Sequence, residues 1–549
     1  MSNKDNEGFA AHDEKQDHDV PDETYNQQTL GEAGVWRATL AEAQAANAHE
    51  HSFTVREALR AYPWAVFWSF AVSMAIIMEG YDTILVGSLY AYPTFAQKFG
   101  KFSLATNNYQ IPAAWQSAMG SGPQAGAFIG AIANGFFIQR FGYKPAFMIG
   151  LVLMISFIFI SFFGMTIQLQ AAAQILCGVP WGIFATIGSA YASELCPHVL
   201  RPYLTSYVNL CFATGQFIGA GVLQSLLTRG DQWAWRIPFA LQWLWPPFLV
   251  LAAIFMPESP WHLVRKGKYI EAEKSLLRLM ADHEKPHARP VVAMMIHTNN
   301  IEQGLTEGTS YLDCFKGDNL RRTEIGCLSF LGQITCGIQF AFSATYFFQQ
   351  AGVSSSASYK LNLGGTAISF LGTILSWFLM RNFGRRTLYL TGFVLMTLWL
   401  FLIGCLDLSH HPSVKWGQAA LCLIWLATFS LTVGPLGWAI APEVSSTRLR
   451  SKSVVLARNS YYLGQTVSTV IEPYMINPTA GNWRGKTGYF WCGTALVTVV
   501  WAFFRLPETK GRTYEELDLM FAAKIPTLKF KNYRVDAYSE DATNQVKEL

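Results

Sequence analysis

Long apolar stretches dominate this sequence and constrain its fold more than any other feature. About twelve such stretches, each close to 20 residues long with few or no charges, follow one another from Tyr62 onward. A helix of that length crosses the roughly 30 Å of hydrocarbon in a lipid bilayer and satisfies its own backbone there. The sequence therefore predicts an all-α membrane protein. We place its spans near 63–88, 113–138, 145–165, 168–194, 202–228, 235–256, 325–351, 359–381, 387–406, 416–441, 451–477 and 486–506.

The composition agrees with a membrane protein and excludes several other classes. Only 14% of the 549 residues are charged, whereas about a quarter would be charged in a soluble protein. The net charge of +4 gives no reason to expect a nucleic-acid partner. Most of the nine cysteines lie in apolar runs without metal-binding spacing, and no GxxxxGK[ST], HExxH or GxSxG motif occurs. We therefore predict no enzyme activity, no catalytic residue, no cofactor and no metal site.

Polar segments divide the chain into five parts. Residues 1–61 are largely polar and acidic, and we predict a disordered N-terminal tail there. The polar stretch 257–324 separates two sets of six spans and is predicted to be a linker with short helices. The spans form an N-terminal half, 62–256, and a C-terminal half, 325–506, which is followed by a tail, 507–549. Lys and Arg are enriched in the linker and in alternate connections, so the positive-inside rule places both termini in the cytoplasm.

Short motifs recur between the two halves at a nearly constant offset. Phe141-Gly142-Tyr143-Lys144 corresponds to Phe383-Gly384-Arg385-Arg386, and Pro257-Glu258-Ser259 corresponds to Pro507-Glu508-Thr509. Apolar composition alone would not produce such recurrences by chance. The sequence therefore predicts two parallel six-helix repeats around a central cavity.

Four motifs, in their order along the chain, resemble the signatures of one transporter family. They are Gly80-Tyr81-Asp82, Pro257 to Pro260, Gly434 to Trp438 and Pro507 to Thr513. From about Tyr62 to Phe521 the chain resembles the sugar porters of the major facilitator superfamily. This resemblance implies the major facilitator fold, with twelve transmembrane helices in two six-helix repeats. It also implies a sugar as the transported partner and alternating access as the mechanism.

Three further segments are similar to fungal α-glucoside permeases of the maltose and sucrose type. They are Met78 to Thr83, Cys177 to Gly182 and Pro473 to Pro478, and plain hexose carriers usually lack them. The similarity implies import of an α-glucoside together with protons, by a monomer in the plasma membrane. Two alternatives stay open, namely an uncoupled facilitator for hexoses or disaccharides and a membrane sugar sensor that does not transport.

Two acids and one arginine lie inside predicted spans, where charged groups are rare and functional by default. Glu79 and Asp82 are three residues apart and are expected to share one face of the first span, while Arg458 lies in the eleventh. In the permeases that the chain resembles, both acids take part in proton coupling and an arginine is their partner. The alternatives are a structural hydrogen-bonded pair of acids and a static salt bridge. The chain departs from the family at Ala127, near the usual third acid, and at Gln174, where many sugar porters have an arginine.

Neutral amides and an indole ring provide the chemistry that a sugar site needs, because amides bond hydroxyls and rings stack on C–H faces. By resemblance, Asn209 and Gln216 in the fifth span match sugar-contacting amides. Gln333 and Gln339 stand at amide positions of the seventh span, and Trp438 matches the tryptophan under the sugar ring. The alternative for each amide is a bridge between two helices.

Charged residues in the loop motifs resemble the cytoplasmic latch of the superfamily, although Gln139 and Asn382 stand where an acid is usual. We predict that four glutamates pair with four arginines and hold the cytoplasmic gate shut in the outward-open state. A purely topological role is the alternative. The set consists of Arg140, Glu194, Arg201, Glu258, Arg385, Glu443, Arg450 and Glu508.

Overall fold

The structure is a computed structural model that describes residues 40–533, with gaps at 104–107, 198, 307–309, 410, 412, 447–448, 511, 513–516, 518–519 and 532. The helices of the N-terminal part are α1 (Leu40–Ser52), α2 (Val55–Ala61), α3 (Pro63–Ser73), α4 (Ala75–Leu89), α5 (Pro93–Phe99), α6 (Ala113–Phe141), α7 (Tyr143–Phe163), α8 (Ile167–Leu195), α9 (Arg201–Leu226), α10 (Trp233–Leu241) and α11 (Trp245–Phe255). The linker contains α12 (Pro260–Arg265), α13 (Tyr269–Leu277) and α14 (Ala288–Thr306). The C-terminal part contains α15 (Gly317–Thr335), α16 (Ile338–Phe342), α17 (Ala344–Gln350), α18 (Ser355–Asn382), α19 (Arg385–Leu406), α20 (Val414–Leu431), α21 (Val433–Val444), α22 (Arg450–Ile476) and α23 (Thr487–Arg505).

Short elements complete the described chain. Strand β1 (Lys101–Ser103) pairs antiparallel with β2 (Asn108–Gln110), so that Lys101 lies opposite Gln110. Single turns of 3-10 helix lie at Gln242–Leu244, Lys285–His287, Tyr311–Phe315, Arg484–Lys486 and Thr527–Lys529.

The helices follow the twelve predicted spans closely. Most predicted ends agree with the observed ones within about four residues, because loss of apolar character marks the edge of a span in both cases. The seventh span is the exception, since its helix begins at Gly317 and not near residue 325. Its first two turns are polar and continue the helix beyond the apolar part. The predicted fold class, an all-α major facilitator fold with twelve membrane helices, is confirmed.

Eight helical segments of the described chain are long and apolar enough to cross a membrane on composition alone. The remaining four spans are α6, α9, α15 to α17 and α22, and they carry more polar residues. The two halves meet through these helices, since α6 packs against α22 and α9 packs against α18. Large apolar side chains cover the outer surface, where Phe136 is 72% and Val497 is 70% exposed. Such a surface is stable in lipid, so the chain is a multi-pass membrane protein.

Glycines allow α6 and α8 to approach each other closely. A Cβ atom on Gly130 of α6 would lie 2.1 Å from the carbonyl oxygen of Val179, and one on Gly178 of α8 would lie 2.2 Å from the carbonyl oxygen of Pro123. Backbone atoms cannot move aside as a flexible side chain can. Small residues of this kind let helices pack in a membrane by van der Waals contact.

We expect Gly130→Val to reduce the amount of folded protein strongly, because overpacking a helix contact costs about 1–3 kcal/mol or more. Gly135→Val is the matched control, since Gly135 lies on the same helix and a Cβ atom there would meet nothing within 4 Å. The readout is the monodisperse peak of detergent-extracted protein in size-exclusion chromatography. Equal peaks for the two variants would contradict the packing argument.

The N-terminal segment differs from the predicted disordered tail. Residues 1–39 lie outside the described residues, but α1 and α2 occupy 40–52 and 55–61. Thr54 and Glu57 form a capping box at the start of α2, which satisfies two backbone donors. Helix α1 packs against α14 of the linker and buries Ala43 and Ala46. The prediction of disorder is therefore wrong for residues 40–61, because a partner in the linker compensates for the low apolar content of α1.

Candidate functional site

A central cavity lies between the two halves and contains about 1100 Å³ of space, including the part that is open to solvent. Two of the spans that line it are interrupted. The seventh span breaks at Gly337, whose φ of 88° is left-handed, and the tenth breaks at Thr432 between α20 and α21. Interrupted membrane helices present backbone polar groups to a site, and they are tolerated where they line a cavity.

Four of the five predicted sugar-binding residues line this cavity. Asn209 and Gln216 come from α9, Gln333 from α15 and Trp438 from α21. The side-chain nitrogen of Gln216 is buried and makes no hydrogen bond in the structure, so it is available to a ligand hydroxyl. Gln339 does not line the cavity, because its side-chain oxygen accepts a hydrogen bond of 2.9 Å from Gln465 of α22.

Gln333 also has a structural contact. Its side-chain nitrogen donates a 2.6 Å hydrogen bond to the carbonyl oxygen of Gly434, which lies two residues after the break in the tenth span. The helix bridge that we named as the alternative for each amide is therefore present at Gln333. Its side-chain oxygen remains the group that can face a ligand.

Polar residues of α22 at the cavity were missed in the sequence. Tyr461, Tyr462 and Gln465 line the cavity together with Arg458. They follow Arg458 by three, four and seven residues, so they lie on one face of the helix. This spacing was visible in the sequence and could have revealed the whole polar face. Gln124 of α6 also lines the cavity and carried no comparable signal.

Arg458 lies among aromatic rings and not beside a carboxylate. Its guanidinium carbon is 4.2 Å from the centre of the Trp438 ring and 4.9 Å from the centres of both Tyr461 and Tyr462. We call these three rings the aromatic cage. A guanidinium over a desolvated indole is stabilised by about 2 kcal/mol. The static salt bridge that we named as the alternative is therefore not what positions Arg458 in this conformation.

Glu79 and Asp82 lie in different surroundings. Glu79 lines the cavity and feels the charge of Arg458, with which it forms no direct ion pair in this structure. Asp82 is 1% exposed and accepts a 2.7 Å hydrogen bond from the side chain of Gln242, with the Gln174 amide beside it. The two acids, three residues apart on α4, thus meet different groups. The offset of about 60° between residues i and i+3 is enough to point Asp82 into the N-terminal half.

Two of the predicted latch glutamates cap helices in equivalent positions of the two halves. Glu258 accepts hydrogen bonds from the backbone N–H groups of Tyr143 (2.8 Å) and Lys144 (3.1 Å) at the start of α7. Glu508 accepts one of 2.7 Å from the backbone N–H of Arg385 at the start of α19. Burial raises the pKa of the Glu258 carboxyl, and the backbone donors oppose that rise. A carboxylate at a helix N-terminus is stabilised by the unpaired donors and the helix dipole.

Glycines in the repeated motifs make room for these carboxylates. A Cβ atom on Gly142, whose φ is 96°, would lie 2.6 Å from a carboxylate oxygen of Glu258. A Cβ atom on Gly384 would lie 2.0 Å from a carboxylate oxygen of Glu508. The recurrence of Phe-Gly and Pro-Glu in the two halves therefore encodes the same contact twice.

The other two latch glutamates also bind within their own half. Glu443 accepts two hydrogen bonds of 3.2 Å from Arg385 and one of 2.6 Å from Thr509. Glu194 pairs with Arg265 and with the hydroxyl groups of Ser259 and Tyr143. The predicted set omitted Arg265, which is its cation.

The remaining latch arginines are Arg140, Arg201 and Arg450. Arg140 is exposed and its guanidinium lies 5.7 Å from the ring centre of Phe141. The side chains of Arg201 and Arg450 lie outside the described residues. The contacts of Glu194, Glu258, Glu443 and Glu508 therefore stabilise the bundle at the end that carries the linker.

The opposite end of the bundle joins the two halves. The hydroxyl of Tyr359 donates to the carbonyl oxygen of Ser88 (2.6 Å), and the side chain of Gln349 donates to the carbonyl oxygen of Ala91 (3.0 Å). Further hydrogen bonds cross between the halves there, among them those from Tyr346 to Gln110, from Asn477 to Ile111 and from Ser117 to Val470. The structure is therefore closed at the end remote from the linker.

A helical bundle of two repeats, with a polar cavity between the halves and interrupted helices beside it, defines a secondary transporter of the major facilitator class. The sequence model of the family described as "Sugar (and other) transporter" matches residues 68–521. The chain belongs to this sugar transporter family.

Similar proteins include two permeases of Saccharomyces cerevisiae. Maltose permease MAL31 is 36% identical over 507 residues, which cover 91% of this chain and 82% of that protein. Alpha-glucosides permease MPH3 is 37% identical over 506 residues, which cover 90% of this chain and 84% of that protein. Among solved structures, the xylose transporter XylE from E. coli in a partially occluded inward-open conformation matches with a TM-score of 0.67 at 20% identity, over 82% of this chain and 99% of that chain.

Proposed function

We propose that the protein imports an α-glucoside, such as maltose or sucrose, by proton symport with alternating access. The observation that carries this proposal is a single cavity that combines neutral amides and Trp438 with a buried acid, Glu79, and a buried cation, Arg458. The names of the two yeast permeases, which are 36–37% identical over most of the chain, support the substrate class. An interior acid and an interior cation in the same cavity as the sugar site support the coupling to protons.

The sugar site would use the residues that line the cavity. Asn209 and Gln216 supply donors and acceptors from one side, and Gln333 supplies its side-chain oxygen from the other. Trp438 offers an apolar face for a sugar ring, although Arg458 lies against this indole in the present conformation. Gln339, which bonds Gln465, would act by holding α16 to α22 and not by touching sugar.

Proton coupling would depend on where Arg458 points. In the present conformation the aromatic cage holds its guanidinium, and Glu79 has no direct cationic partner. A buried carboxylic acid without a counter-charge is stable when it carries a proton. Movement of Arg458 out of the cage toward Glu79, after sugar has left on the cytoplasmic side, would favour release of that proton, so that sugar and proton are carried inward together. Asp82, surrounded by the amides of Gln242 and Gln174, would be the second proton-carrying acid.

Topology and gating follow from the same proposal. The linker and both termini would lie in the cytoplasm, the membrane would be the plasma membrane, and a monomer would suffice because each chain contains the whole cavity. The closed end with its Tyr359–Ser88 hydrogen bond would then be extracellular. In the outward-open state, Arg140, Arg201 and Arg450 would approach the glutamates of the opposite half and close the cytoplasmic side.

The experiment that tests this function is uptake in yeast cells that lack sugar carriers. The cells express the protein and receive labelled mono-, di- and trisaccharides while the external pH is recorded. We expect uptake of α-linked disaccharides with alkalinisation of an unbuffered medium. Uptake that causes no alkalinisation and resists a protonophore would establish the facilitator instead. Sugar binding without uptake would establish the sensor.

A further inference from the structure

Two histidines and one glutamate meet where the N-terminal helix α1 packs on the linker. A nitrogen of His49 lies 3.2 Å from a carboxylate oxygen of Glu284, and a nitrogen of His287 lies 3.3 Å from the same oxygen. The potential ligand atoms of the three side chains all lie within 4.8 Å of one another. The cavity and the latch do not use this cluster, which lies outside the membrane helices.

Backbone contacts bring these distant parts of the chain together. The N–H of Ala281 donates a 2.8 Å hydrogen bond to the carbonyl oxygen of Ala61, so the linker lies against the end of α2. A turn then places Glu284 and His287 on the side that faces α1. The edge of the Phe53 ring packs on the His49 ring, with ring centres 4.8 Å apart, and orients that imidazole. Sequence spacing did not reveal the cluster, because His49 is separated from Glu284 by 235 residues.

We propose that His49, Glu284 and His287 form a binding site for a divalent transition-metal ion, with Zn²⁺ as the best fit. Zinc takes imidazole nitrogen and carboxylate oxygen at about 2.0–2.2 Å, and a tetrahedral site then separates neighbouring ligand atoms by about 3.3 Å. The two His–Glu distances already have this value. The two imidazoles, stacked with centres 4.5 Å apart, need only a side-chain rotation to complete the triad. Water or a further ligand takes the fourth position.

The surroundings favour a cation at this point. Glu284 is 8% exposed, so its charge is poorly screened by water. Glu50 is close as well, since burial and then the charges of Glu50 and Glu284 raise the pKa of the Tyr62 hydroxyl. The side chains of His49 and His287 are 35% and 48% exposed, which gives the ion a route of entry. A bound ion would fasten α1 to the linker, and the stabilisation of that contact would grow with the logarithm of the free ion concentration above the Kd.

The test is equilibrium binding of Zn²⁺ to the full-length protein, purified without a histidine tag and freed of metal, in competition with a chromogenic chelator. His49→Ala, His287→Ala and Glu284→Gln each remove one ligand. The matched control is His283→Ala, because His283 is exposed and adjacent in sequence but outside the triad. Loss of even an outer-shell partner weakens metal sites roughly 10- to 100-fold. We therefore expect the wild type and the control to bind one Zn²⁺ ion per protein tightly. In each of the three ligand variants we expect the affinity for Zn²⁺ to fall by at least about 10-fold.

Two results would overturn the proposal. One is the absence of a tight equivalent in the wild type, which would leave only a hydrogen-bonded cluster. The other is unchanged affinity in the ligand variants, which would place the ion elsewhere. Size-exclusion profiles of all variants show whether they are folded, and the conservative variant His49→Gln should also lose the ion while it preserves side-chain volume. Neither result depends on the sugar or on proton coupling.

Discussion

The Glu79→Gln protein should carry sugar down a concentration gradient but should no longer concentrate it. Glutamine imitates the protonated acid and cannot release a proton, so the sugar site persists while the link to the proton gradient is lost. One proton moving through a potential of about 100 mV supplies about 2.3 kcal/mol. That energy corresponds to an internal sugar concentration roughly 50-fold above the external one. In the variant, the ratio of internal to external sugar should approach about one. Asp82→Asn should behave in the same way if Asp82 is the second proton carrier.

The measurement is the steady-state ratio of internal to external labelled sugar, with exchange of preloaded sugar measured in parallel. Glu271→Gln is the control for the chemical change, because Glu271 is exposed and pairs only with Lys268 at the surface of the linker. Such surface pairs contribute little. Parallel loss of accumulation, exchange and protein level in the Glu79 variant would indicate a structural role for the acid and would contradict the coupling role.

The spans and the repeat could be predicted from the sequence because both depend on local patterns. Lipid requires a continuous apolar helix, so the ends of the Tyr143–Phe163 helix fall within two residues of the predicted 145–165. The recurrent Phe-Gly and Pro-Glu motifs likewise encode contacts that each half makes on its own, such as Glu258 on the start of α7. Even so, the sequence did not indicate that these glutamates act as helix caps.

Long-range geometry could not be predicted. Trp438 and Arg458 were identified separately, as a sugar platform and as a partner of acids, but their stacking depends on how α21 and α22 pack. The hydrogen-bond partner of Asp82 is Gln242, which lies 160 residues further along the chain. Helix α1 forms because α14 offers a partner, and its own sequence carries no strong signal for order. In each case a tertiary contact decided between alternatives that the sequence left open.

Trp438→Ala should have the largest effect on sugar transport, because we propose that Trp438 serves both sugar and Arg458. Removal of the indole takes away an apolar face for the sugar ring and the closest ring of the aromatic cage, 4.2 Å from the guanidinium. An apolar contact area of this size is worth about 1.5–3 kcal/mol when it is buried, so we expect uptake at low sugar concentration to fall by roughly 10- to 100-fold. Trp438→Phe retains a smaller ring, so its uptake at low sugar concentration should lie between that of Trp438→Ala and that of the wild type.

Initial uptake rates over a range of sugar concentrations, normalised to surface protein, measure this effect. Trp416→Ala is the control on the same span, since Trp416 is 51% exposed at the start of α20 and away from the cavity. A second readout separates the two roles of Trp438. Loss of the sugar face raises KM, whereas release of Arg458 from its cage brings the cation to Glu79 and reduces proton uptake per sugar. If Trp438→Ala changed neither KM nor the proton-to-sugar ratio, the indole would be a packing residue and the assigned sugar site would be wrong.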